Sequence, residues 1–543
     1  MKHHRLALPA IAAAAALALS ACASGPAATT DDNAEPVTGG SLTWGVSVEP
    51  VCYNPQRSGQ QNSFPIIRNF AESLVGKDSD GEYTPWLADS WDISEDGLTY
   101  DLHLREGVEF TDGTVFDAEA VKTNLDFVAD PANATAAGTG LTNFSGATVI
   151  DANTIELTLK TPDAAFLDTL ASITTSILSP ASLALPDNDL CAATSDLVGT
   201  GPFILSDYQA GQEITFTANE DYDSAPGYAA HTGRAYLDSV TYRFLPEATV
   251  RTGALSSNQV DIIEGVQVTD TTLFQDQPGY VYETGPSTGT AFSLNVNTRI
   301  APADDARVRQ ALRDGFDLDA LVENQYLGTV QRAFSSIGPD SPFYDESLEG
   351  SWGNDVDGAN DLLDEAGWTE RDGDGYRTKD GERLTIVVGY PEPYIRDQRD
   401  VLLQAIQAQV KENIGLDLDV QSISSAQFTD ELATSSWTVY PNTLPTSDPS
   451  ILFRSLFGSE GFLYAKDTAA SLDELIAQSR QTSVASERKA AFDEIQQTVV
   501  DDARYIPLYH PVYTVASTDL VHGISFEPQL NSPASSYDLW TTK

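Results

Sequence analysis

The sequence has few basic residues, few cysteines and only scattered histidines. It contains 30 Lys and Arg against 80 Asp and Glu, which gives a formal net charge of −50 at pH 7. Binding to nucleic acid requires clustered Lys and Arg to neutralise phosphate, so this composition argues against a nucleic-acid partner. The acidic surface favours solubility and some tolerance of salt, but it does not identify a ligand.

Metal and redox sites of the common kinds are also missing from the sequence. The six histidines do not cluster, no HExxH spacing occurs and no CxxC pair is present among the three cysteines. This pattern disfavours thiolate zinc sites and thioredoxin-like redox chemistry. Asp372–Gly375 begins like a calcium loop, but Tyr376 and Arg377 stand where the EF-hand pattern needs an acid or Asn and then a Gly. We predict a β-turn there, and we predict no metal site and no cofactor.

The chain has only one long apolar run, and it lies at the N-terminus. Leu6 to Leu19, interrupted by Pro9, follows the basic segment 1–5 and precedes small residues. A basic start, a short apolar run and small residues at its end are typical of a secretory signal, whereas a membrane-spanning helix needs about 20 apolar residues. We therefore predict a signal peptide over residues 1–21.

The signal ends on a lone cysteine. Leu19-Ser20-Ala21-Cys22 resembles the lipobox of bacterial lipoproteins, in which the cysteine is acylated and becomes the first mature residue. Two or more acyl chains, palmitate among them, anchor a protein stably. We predict that Cys22 tethers the chain outside the cytoplasm, on the cell membrane of a bacterium, through a flexible tether over residues 22–40. An ordinary signal with an incidental cysteine is the alternative.

Two cysteines remain once Cys22 is assigned to lipid. An exported protein folds in an oxidising compartment, where Cys52 and Cys191 can pair. We predict a disulfide between these two residues, and two separate free thiols are the alternative.

Strand and helix patterns alternate along the rest of the chain. Residues 99–105 and 154–160 alternate polar and apolar side chains, as strands with one buried face do. Apolar residues at helical spacing occur over 117–128, 305–316, 358–366 and 398–412. The chain is 543 residues long and 41% hydrophobic, enough for two or three domains with large cores. These patterns predict an α/β fold of more than one lobe.

A series of segments occurs in a family-specific order along this α/β chain. The segments are Gly39–Gly45, Pro85–Trp91, Ser94–Leu125, Gly199–Phe203, Asn219–Tyr222, Phe292–Asn295, Asp305–Leu312, Leu362–Trp368 and Ile506–Leu508. In this series the chain resembles the extracytoplasmic solute-binding proteins of the peptide/nickel ABC-importer family, and the resemblance covers nearly all of the mature chain. Ser94–Leu125 is the most family-specific stretch.

The resemblance implies a two-lobed clamp of the periplasmic-binding-protein kind. The first lobe is expected over residues 41–285 and 511–543, with an extra subdomain inserted at about 64–197. The second lobe is expected over residues 286–510. Two chain crossings, near 282–293 and 506–515, would form a hinge, and a ligand would bind between the lobes.

The function that the resemblance implies is capture and delivery of a solute. We expect a monomeric lipoprotein that binds a small polar, peptide-like solute or a short peptide. It would deliver this ligand to the transmembrane subunits of an ABC permease, and it would not be an enzyme.

The expected binding residues follow from the family pattern and from its departures here. Peptide binders of the family carry Trp-x-x-Asp-Tyr-x-Asp-Pro, and its first Asp can hold the ligand's amino terminus. In this chain Asp448-Pro449 is retained, but Pro445 replaces that first Asp, which puts an ordinary oligopeptide ligand in doubt. Alternatively, Asp448 is a structural residue of a turn, and the aromatic residues pack in the core of the lobe. The candidate ligand contacts are Glu49, Tyr390, Tyr394, Trp437, Tyr440, Asn442, Ser447 and Asp448.

A secreted serine hydrolase is the rival function. Gly285–Gly289 matches the G-x-S-x-G pattern around Ser287, but a nucleophile elbow needs a helix after the turn. Residues 290–297 alternate like a strand instead. Ser486–Lys489 matches S-x-x-K without its companion motifs. We therefore predict no catalytic residue.

Overall fold

The computed structural model describes residues 35–133, 135, 141–392, 395–434, 436–444, 448–459, 470–527 and 532–543. The signal segment 1–21, Cys22, Tyr394 and Ser447 lie outside the described residues, as does the tether up to residue 34. Within the described ranges no helix has the length and apolar character needed to cross a membrane.

A mixed seven-stranded sheet forms the core of the first lobe. Its strands, in spatial order, are β12 (Tyr280–Thr284), β22 (Thr514–Thr518), β11 (Ile262–Glu264), β1 (Ser41–Val46), β10 (Ser239–Phe244), β9 (Glu213–Ala218) and β8 (Phe203–Gln209). β1 pairs in parallel with β10 and β11, and the other neighbours are antiparallel. Leu42, Trp44 and Val46 are buried because alternate side chains of a strand share one face.

A six-stranded sheet forms the core of the second lobe. Its strands, in spatial order, are β14 (Gln331–Arg332), β21 (Tyr505–His510), β13 (Phe292–Val296), β20 (Val439–Asn442), β18 (Thr385–Pro391) and β19 (Asp417–Ile423). β18 pairs in parallel with β19 and β20, and the other neighbours are antiparallel. Phe292, Leu294 and Val296 join one large apolar core with the surrounding helices.

A four-stranded antiparallel sheet with its own apolar core forms a subdomain. In spatial order its strands are β4 (Ala88–Ile93), β5 (Thr99–Leu104), β7 (Thr154–Leu159) and β6 (Phe144–Asp151). Leu102, Ile155 and Leu157 are fully buried in its core. The smaller sheets are formed by β15 (Glu370–Arg371), β16 (Arg377–Lys379) and β17 (Glu382–Arg383), by β2 (Val75–Lys77) and β3 (Tyr83–Pro85), by β23 (Val521–His522) and β26 (Trp540–Thr541), and by β24 (Phe526–Glu527) and β25 (Ser532–Pro533).

Helices pack on the sheets, and several begin at an Asp that caps the first turn. The α-helices of the described ranges are α1 (Phe64–Ile67), α2 (Ala118–Ala129), α3 (Phe166–Ala171), α4 (Pro180–Leu183), α5 (Ala248–Ser256), α6 (Ala306–Asp314), α7 (Leu318–Tyr326), α8 (Val356–Glu365), α9 (Arg399–Ile414), α10 (Ser425–Thr434), α11 (Pro449–Phe457), α12 (Ala470–Gln481) and α13 (Ala485–Asp501). Asp117, Asp305 and Asp317 accept backbone hydrogen bonds at the starts of α2, α6 and α7. Such caps satisfy amide groups that have no partner inside the helix.

Two glycines hold the segment before β8 close to the segment that follows α1. A Cβ at Gly199 would lie 2.0 Å from the carbonyl oxygen of Phe70, and the Gly201 amide donates to the same oxygen at 3.0 Å. Only glycine allows two backbones to approach so closely. Phe203, which begins β8, follows directly.

The chain passes between the two large sheets twice, from β12 to β13 and from β21 to β22, and we call these passages the two crossings. The Gly285 amide donates to the Tyr513 carbonyl at 2.8 Å, and the Ser287 hydroxyl donates to the Pro511 carbonyl at 3.1 Å. The two crossings are therefore hydrogen-bonded to each other, and both lobes meet around them.

Candidate functional site

The lobes meet beside the crossings at Arg396, which lies between β18 and α9 of the second lobe. Its Nη1 donates to Oδ1 of Asn62, in the first lobe, at 2.8 Å. Asn62 in turn donates through Nδ2 to the Ser47 hydroxyl at 3.0 Å. The Arg396 side chain keeps 39% of its surface exposed, and its Nε lies 3.7 Å from the Asp397 carboxylate.

The same hydrogen-bonded chain continues to a buried carboxylate, Glu264. Its Oε1 accepts from the Ser47 amide at 2.8 Å and from the Ser47 hydroxyl at 2.6 Å, and its Oε2 accepts from the Tyr513 hydroxyl. Burial raises the pKa of Glu264, and the hydrogen bonds from Ser47 oppose this rise. We call Arg396, Asn62, Ser47, Glu264 and Tyr513 the interlobe network.

The interlobe network lies at the edge of the first sheet where ligands commonly bind. Ser47 follows β1, and Glu264 ends the parallel neighbour β11. Parallel strands bring their carboxyl ends to one edge, and open α/β sheets bind ligands outside that edge. The network thus combines a cationic group, a carboxylate and neutral donors at a position suited to a polar solute.

The backbone that presents Arg396 is unusual. Asp397 and Gln398 both have a φ of 54°, a left-handed conformation that costs energy for residues other than glycine. The Tyr326 hydroxyl donates to the Asp397 carbonyl at 3.2 Å, and Arg399 lies 3.3 Å from the Asp397 carboxylate. Partial burial of the guanidinium, and then the positive charge of Arg399, lower the pKa of Arg396. Surrounding contacts therefore hold this strained turn and its arginine in place.

The structure places three of the aromatic candidates in the core of the second lobe. Tyr390, Trp437 and Tyr440 are 2%, 5% and 6% exposed and belong to one apolar cluster. The Tyr440 ring stacks on Phe428 with ring centroids 4.6 Å apart. Their burial corresponds to the alternative role of lobe core.

The polar candidates have partners inside their own lobes. Asn442 accepts from Asn295 Nδ2 at 2.6 Å. Asp448 caps α11, accepting from the Ser450 amide at 2.9 Å and the Ser450 hydroxyl at 2.6 Å, and its Oδ2 accepts from Arg488 Nη2 at 2.5 Å. This geometry corresponds to the structural alternative for Asp448.

Glu49 is likewise engaged by the first lobe. Its Oε1 accepts from the Tyr208 hydroxyl at 2.5 Å and its Oε2 accepts from the Gly211 amide at 3.0 Å. These bonds fasten the loop after β1 to the hairpin of β8 and β9. Nearby, a disulfide joins Cys52 to Cys191, with Cα atoms 4.2 Å apart.

The G-x-S-x-G stretch does not form a nucleophile elbow. The Ser287 hydroxyl donates a hydrogen bond to the Pro511 carbonyl, and the Ser287 amide donates to Asp340 Oδ2 at 2.7 Å. The element that follows Ser287 is strand β13, not a helix. An elbow requires a helix after the turn and an exposed hydroxyl. The stretch is part of the first crossing.

A family model of known sequences identifies the chain. The model described as "Bacterial extracellular solute-binding proteins, family 5 Middle" matches residues 82–462. The chain belongs to this family. The family's members are the solute-binding components of ABC importers and work outside the cytoplasm, so the predicted family and general function are confirmed.

Individual relatives agree over most of the chain. The glutathione-binding protein GsiB of Escherichia coli (strain K12) is 26% identical over 478 residues, covering 84% of this chain and 86% of the relative. The nickel-binding periplasmic protein of Escherichia coli (strain K12) is 27% identical over 502 residues, covering 90% and 92%. The solved structure of DppA from Helicobacter pylori in complex with the peptide STSA has a TM-score of 0.78 at 22% identity, covering 93% of this chain and 99% of that one. The predicted two-lobed α/β fold with its extra subdomain is confirmed.

No motif or spacing in the sequence marks Arg396, Asn62 or Glu264 as members of a site. Asn62 and Arg396 are separated by 334 residues, so no local pattern could pair them. Tyr394, two positions before Arg396, is a predicted ligand contact, and it lies outside the described residues.

Proposed function

We propose that this solute-binding protein encloses a small polar, peptide-like solute between its lobes, next to the interlobe network. The observation that carries the proposal is the bond between Arg396 of one lobe and Asn62 of the other, at the ligand-binding edge of the first sheet. A solute bound there contacts both lobes at once, which is how binding favours closure. In this proposal the first lobe comprises residues 41–285 and 511–543, and the second lobe comprises residues 286–510.

The proposed cargo carries at least one anionic group. The Arg396 side chain is partly exposed at the meeting of the lobes, and charge-assisted bonds to carboxylate are among the strong polar contacts. The relatives named above bind glutathione, nickel or a peptide, so membership of the family does not by itself select a cargo. Pro445 in place of the family's first Asp supports a cargo that is not held by its α-amine. Tyr394 and Ser447 remain proposed contacts.

The decisive experiment identifies the solute that the protein carries. Native mass spectrometry of the purified protein gives the mass of a bound solute, and thermal shifts then test peptides, opines, sugars and metal chelates. A true cargo at a hundredfold excess over Kd stabilises the protein by about 2.7 kcal/mol. Arg396→Gln should weaken binding by about 1.5–3 kcal/mol, the range for a bond to a charged group. Arg307→Gln, on the surface of the same lobe, should leave the affinity unchanged.

The proposal includes release of the cargo chemically unchanged, which separates a receptor from an enzyme. The Ser287 hydroxyl of the first crossing donates to the Pro511 carbonyl of the second crossing, and this supports a non-catalytic role. A cargo that emerges cleaved, with Ser287→Ala stopping the cleavage, would overturn the proposal. We also propose that the protein is a monomer, which light scattering of the purified protein can test.

We further propose that Cys22 is acylated and tethers the mature chain to the membrane. The lipobox-like Leu19-Ser20-Ala21-Cys22 supports this. Cys22→Ser should release the protein from the membrane fraction and remove the mass of the acyl chains. A variant that stays in the membrane with unchanged mass would contradict the lipid anchor.

A further inference from the structure

Arg251 of α5 binds the backbone of the sheet edge at which the interlobe network lies. Its Nε donates to the Glu264 carbonyl at 3.0 Å, and its Nη1 donates to the Leu245 and Pro246 carbonyls at 2.7 Å and 2.8 Å. Its Nη2 donates to the Gly265 carbonyl at 3.1 Å. Leu245 follows β10, and Glu264 ends β11. One guanidinium therefore ties together the carboxyl ends of the two strands that flank β1.

The Arg251 guanidinium is buried, and its hydrogen-bond acceptors are uncharged. The residue is 5% exposed. Four of the five N–H groups of the guanidinium donate to backbone carbonyls. Among the residues that the structure describes, no carboxylate forms an ion pair with it, although buried arginines usually have such a partner. Carbonyl dipoles satisfy the donors and leave the net charge in place, so this charge acts beyond the contacts of the group.

The charges that face Arg251 belong to both lobes. Burial lowers the pKa of Arg251, and the negative charges of Glu264, then Asp397, then Glu247 oppose this effect. Glu247 is exposed, so water and salt screen its charge. Asp397 follows Arg396 in the second lobe. The charge of Arg251 is therefore felt at the place where the two lobes meet.

The charges around this meeting place do not cancel. Among the described residues, three guanidinium groups interact there with two carboxylates, namely Arg251, Arg396 and Arg399 with Glu264 and Asp397. Three positive against two negative groups leave one positive charge in excess. The whole chain, in contrast, carries a formal net charge of −50. Without Arg251 the local excess of positive charge would disappear.

We propose that Arg251 is a specificity-determining residue that favours anionic cargo without touching it. Arg396 supplies the contact with the cargo, and Arg251 supplies the charge that keeps the site positive beside Glu264 and Asp397. Because Arg251 is already buried and hydrogen-bonded, it needs no rearrangement when cargo binds. The inference rests on the proposed function for the place where the cargo binds, and it adds which residue selects the charge of the cargo.

The test measures the electrostatic potential beside the interlobe network and uses the full chain without cargo. Ser47→Cys, combined with Cys22→Ser, provides one free thiol, because Cys52 and Cys191 are joined in the disulfide. The rate of modification is measured with sulfonatoethyl methanethiosulfonate, an anion, and with trimethylammonioethyl methanethiosulfonate, a cation. The thiolate displaces the sulfinate group of either reagent and forms a mixed disulfide. Lobe opening and the thiolate fraction affect both rates equally, so the anion-to-cation rate ratio reports the local charge.

Two substitutions at Arg251 separate its charge from its support of the fold. Arg251→Met should lower the rate ratio at least about threefold, because the two reagents report the loss of one positive charge with opposite signs. Arg251→Lys keeps the charge and loses the forked geometry, so its ratio should stay within about twofold of the ratio with Arg251. A residue that only supports the fold would give the same change in both variants. The difference between the two variants should decrease as NaCl increases.

A second readout needs no change at Arg251. Ser257→Cys places the thiol at an exposed position, where it experiences the net negative charge of the chain. The rate ratio at position 47 should exceed the ratio at position 257 by at least about threefold. This comparison holds even if a substitution of the buried arginine prevents folding.

Arg309 of α6 gives a matched control. It too is buried and donates to backbone carbonyls, those of Ala303 and Asp304 at 3.0 Å and 3.1 Å, but it pairs with Asp502. Arg309→Met should leave the ratio at position 47 unchanged. The proposal is overturned if Arg251→Met keeps the ratio, if Arg251→Lys lowers it equally, if Arg309→Met reproduces the loss, or if positions 47 and 257 give equal ratios. No cargo enters these measurements, so an uncharged cargo would contradict the proposed function and leave these ratios as they are.

Discussion

At the scale of single residues, Asp448 stabilises the second lobe. Its carboxylate is 4% exposed, caps α11 and pairs with Arg488. Although burial opposes ionisation, the Arg488 guanidinium and the bonds from Ser450 hold the pKa of Asp448 below its usual value. A carboxyl with a depressed pKa contributes stability above its unfolded-state pKa of about 3.9, and the contribution is lost as the pH falls through the folded-state pKa.

We predict that Asp448→Asn lowers the free energy of unfolding by about 3–5 kcal/mol, because Arg488 is left buried and unpaired. Denaturant unfolding measures this change. Removing both partners, in Asp448→Asn with Arg488→Gln, should cost no more than the sum of the single changes. A variant with unchanged stability but weaker cargo binding would instead support the ligand contact suggested by the family pattern.

His510, at the end of β21, gives a prediction about pH. Its side chain is 2% exposed, and neither ring nitrogen has a hydrogen-bond partner among the described residues. Burial lowers the pKa of His510 to about 3. The unfolded chain, with a His pKa of about 6.5, therefore binds more protons between these two pH values. The stability from His510 is fully present above about pH 6.5 and falls as the pH decreases towards 3.

We expect protonation of His510 in the unfolded chain to lower the free energy of unfolding by about 2 kcal/mol at pH 5. His510→Phe should remove this part of the slope when unfolding is measured between pH 7 and pH 5. An unchanged slope in the variant would show that His510 does not titrate on unfolding in this range.

At the scale of elements, the disulfide ties the loop after β1 to the segment that leads into Gly199. Cys52 and Cys191 close a loop with a sequence separation of 139 residues. In the chain-entropy model such a bond contributes on the order of 4–5 kcal/mol. We predict that Cys52→Ser with Cys191→Ser lowers the free energy of unfolding accordingly. Two alkylatable thiols in the unfolded, unreduced mature protein would contradict the pairing.

Local patterns predicted the elements well. Helical spacing over 117–128 corresponds to α2, and spacing over 398–412 corresponds to α9, because caps and turns next to a helix are encoded beside it. The β-turn at Asp372 is also confirmed, since its carboxylate accepts from the amides of Asp374 and Tyr376 between β15 and β16. The roles of single side chains were harder to predict. An aromatic residue such as Trp437 can pack in the core of a lobe or line a cleft, and the sequence pattern is the same in both cases.

The site could not be read from the sequence for a different reason. Asn62 and Arg396 meet only when two lobes built from distant segments come together. The periodicity of the residues around Asn62 and Arg396 does not predict that these two side chains are in contact. The two left-handed residues after Arg396 are not glycines, so the strained turn leaves no composition signal either.

At the scale of the whole molecule, charge repulsion opposes the compact state. The formal net charge is −50. Salt screens the repulsion between these charges, because the Debye length falls from about 30 Å at 10 mM salt to about 8 Å at 150 mM. We predict that Tm rises by at least about 2 °C over this range of NaCl, the shift that ~1 kcal/mol produces in a domain of 150–250 residues.

The control for this prediction is pH. The sequence isoelectric point is about 4.1, so the repulsion decreases as the pH falls towards that value. The rise in Tm should therefore be smaller at pH 5 than at pH 7. An equal rise at both values would point to specific ion binding instead of screening.

The pairing of the two crossings restricts how the lobes can move. β12 pairs with β22 in one sheet and β13 pairs with β21 in the other, so both connecting strands run side by side from lobe to lobe. Because the two crossings are hydrogen-bonded to each other, they can bend together, but they resist twisting and sliding of one lobe against the other. We therefore expect one hinge angle to describe the relative motion of the lobes. Distances between any points on opposite lobes should accordingly change in step during opening.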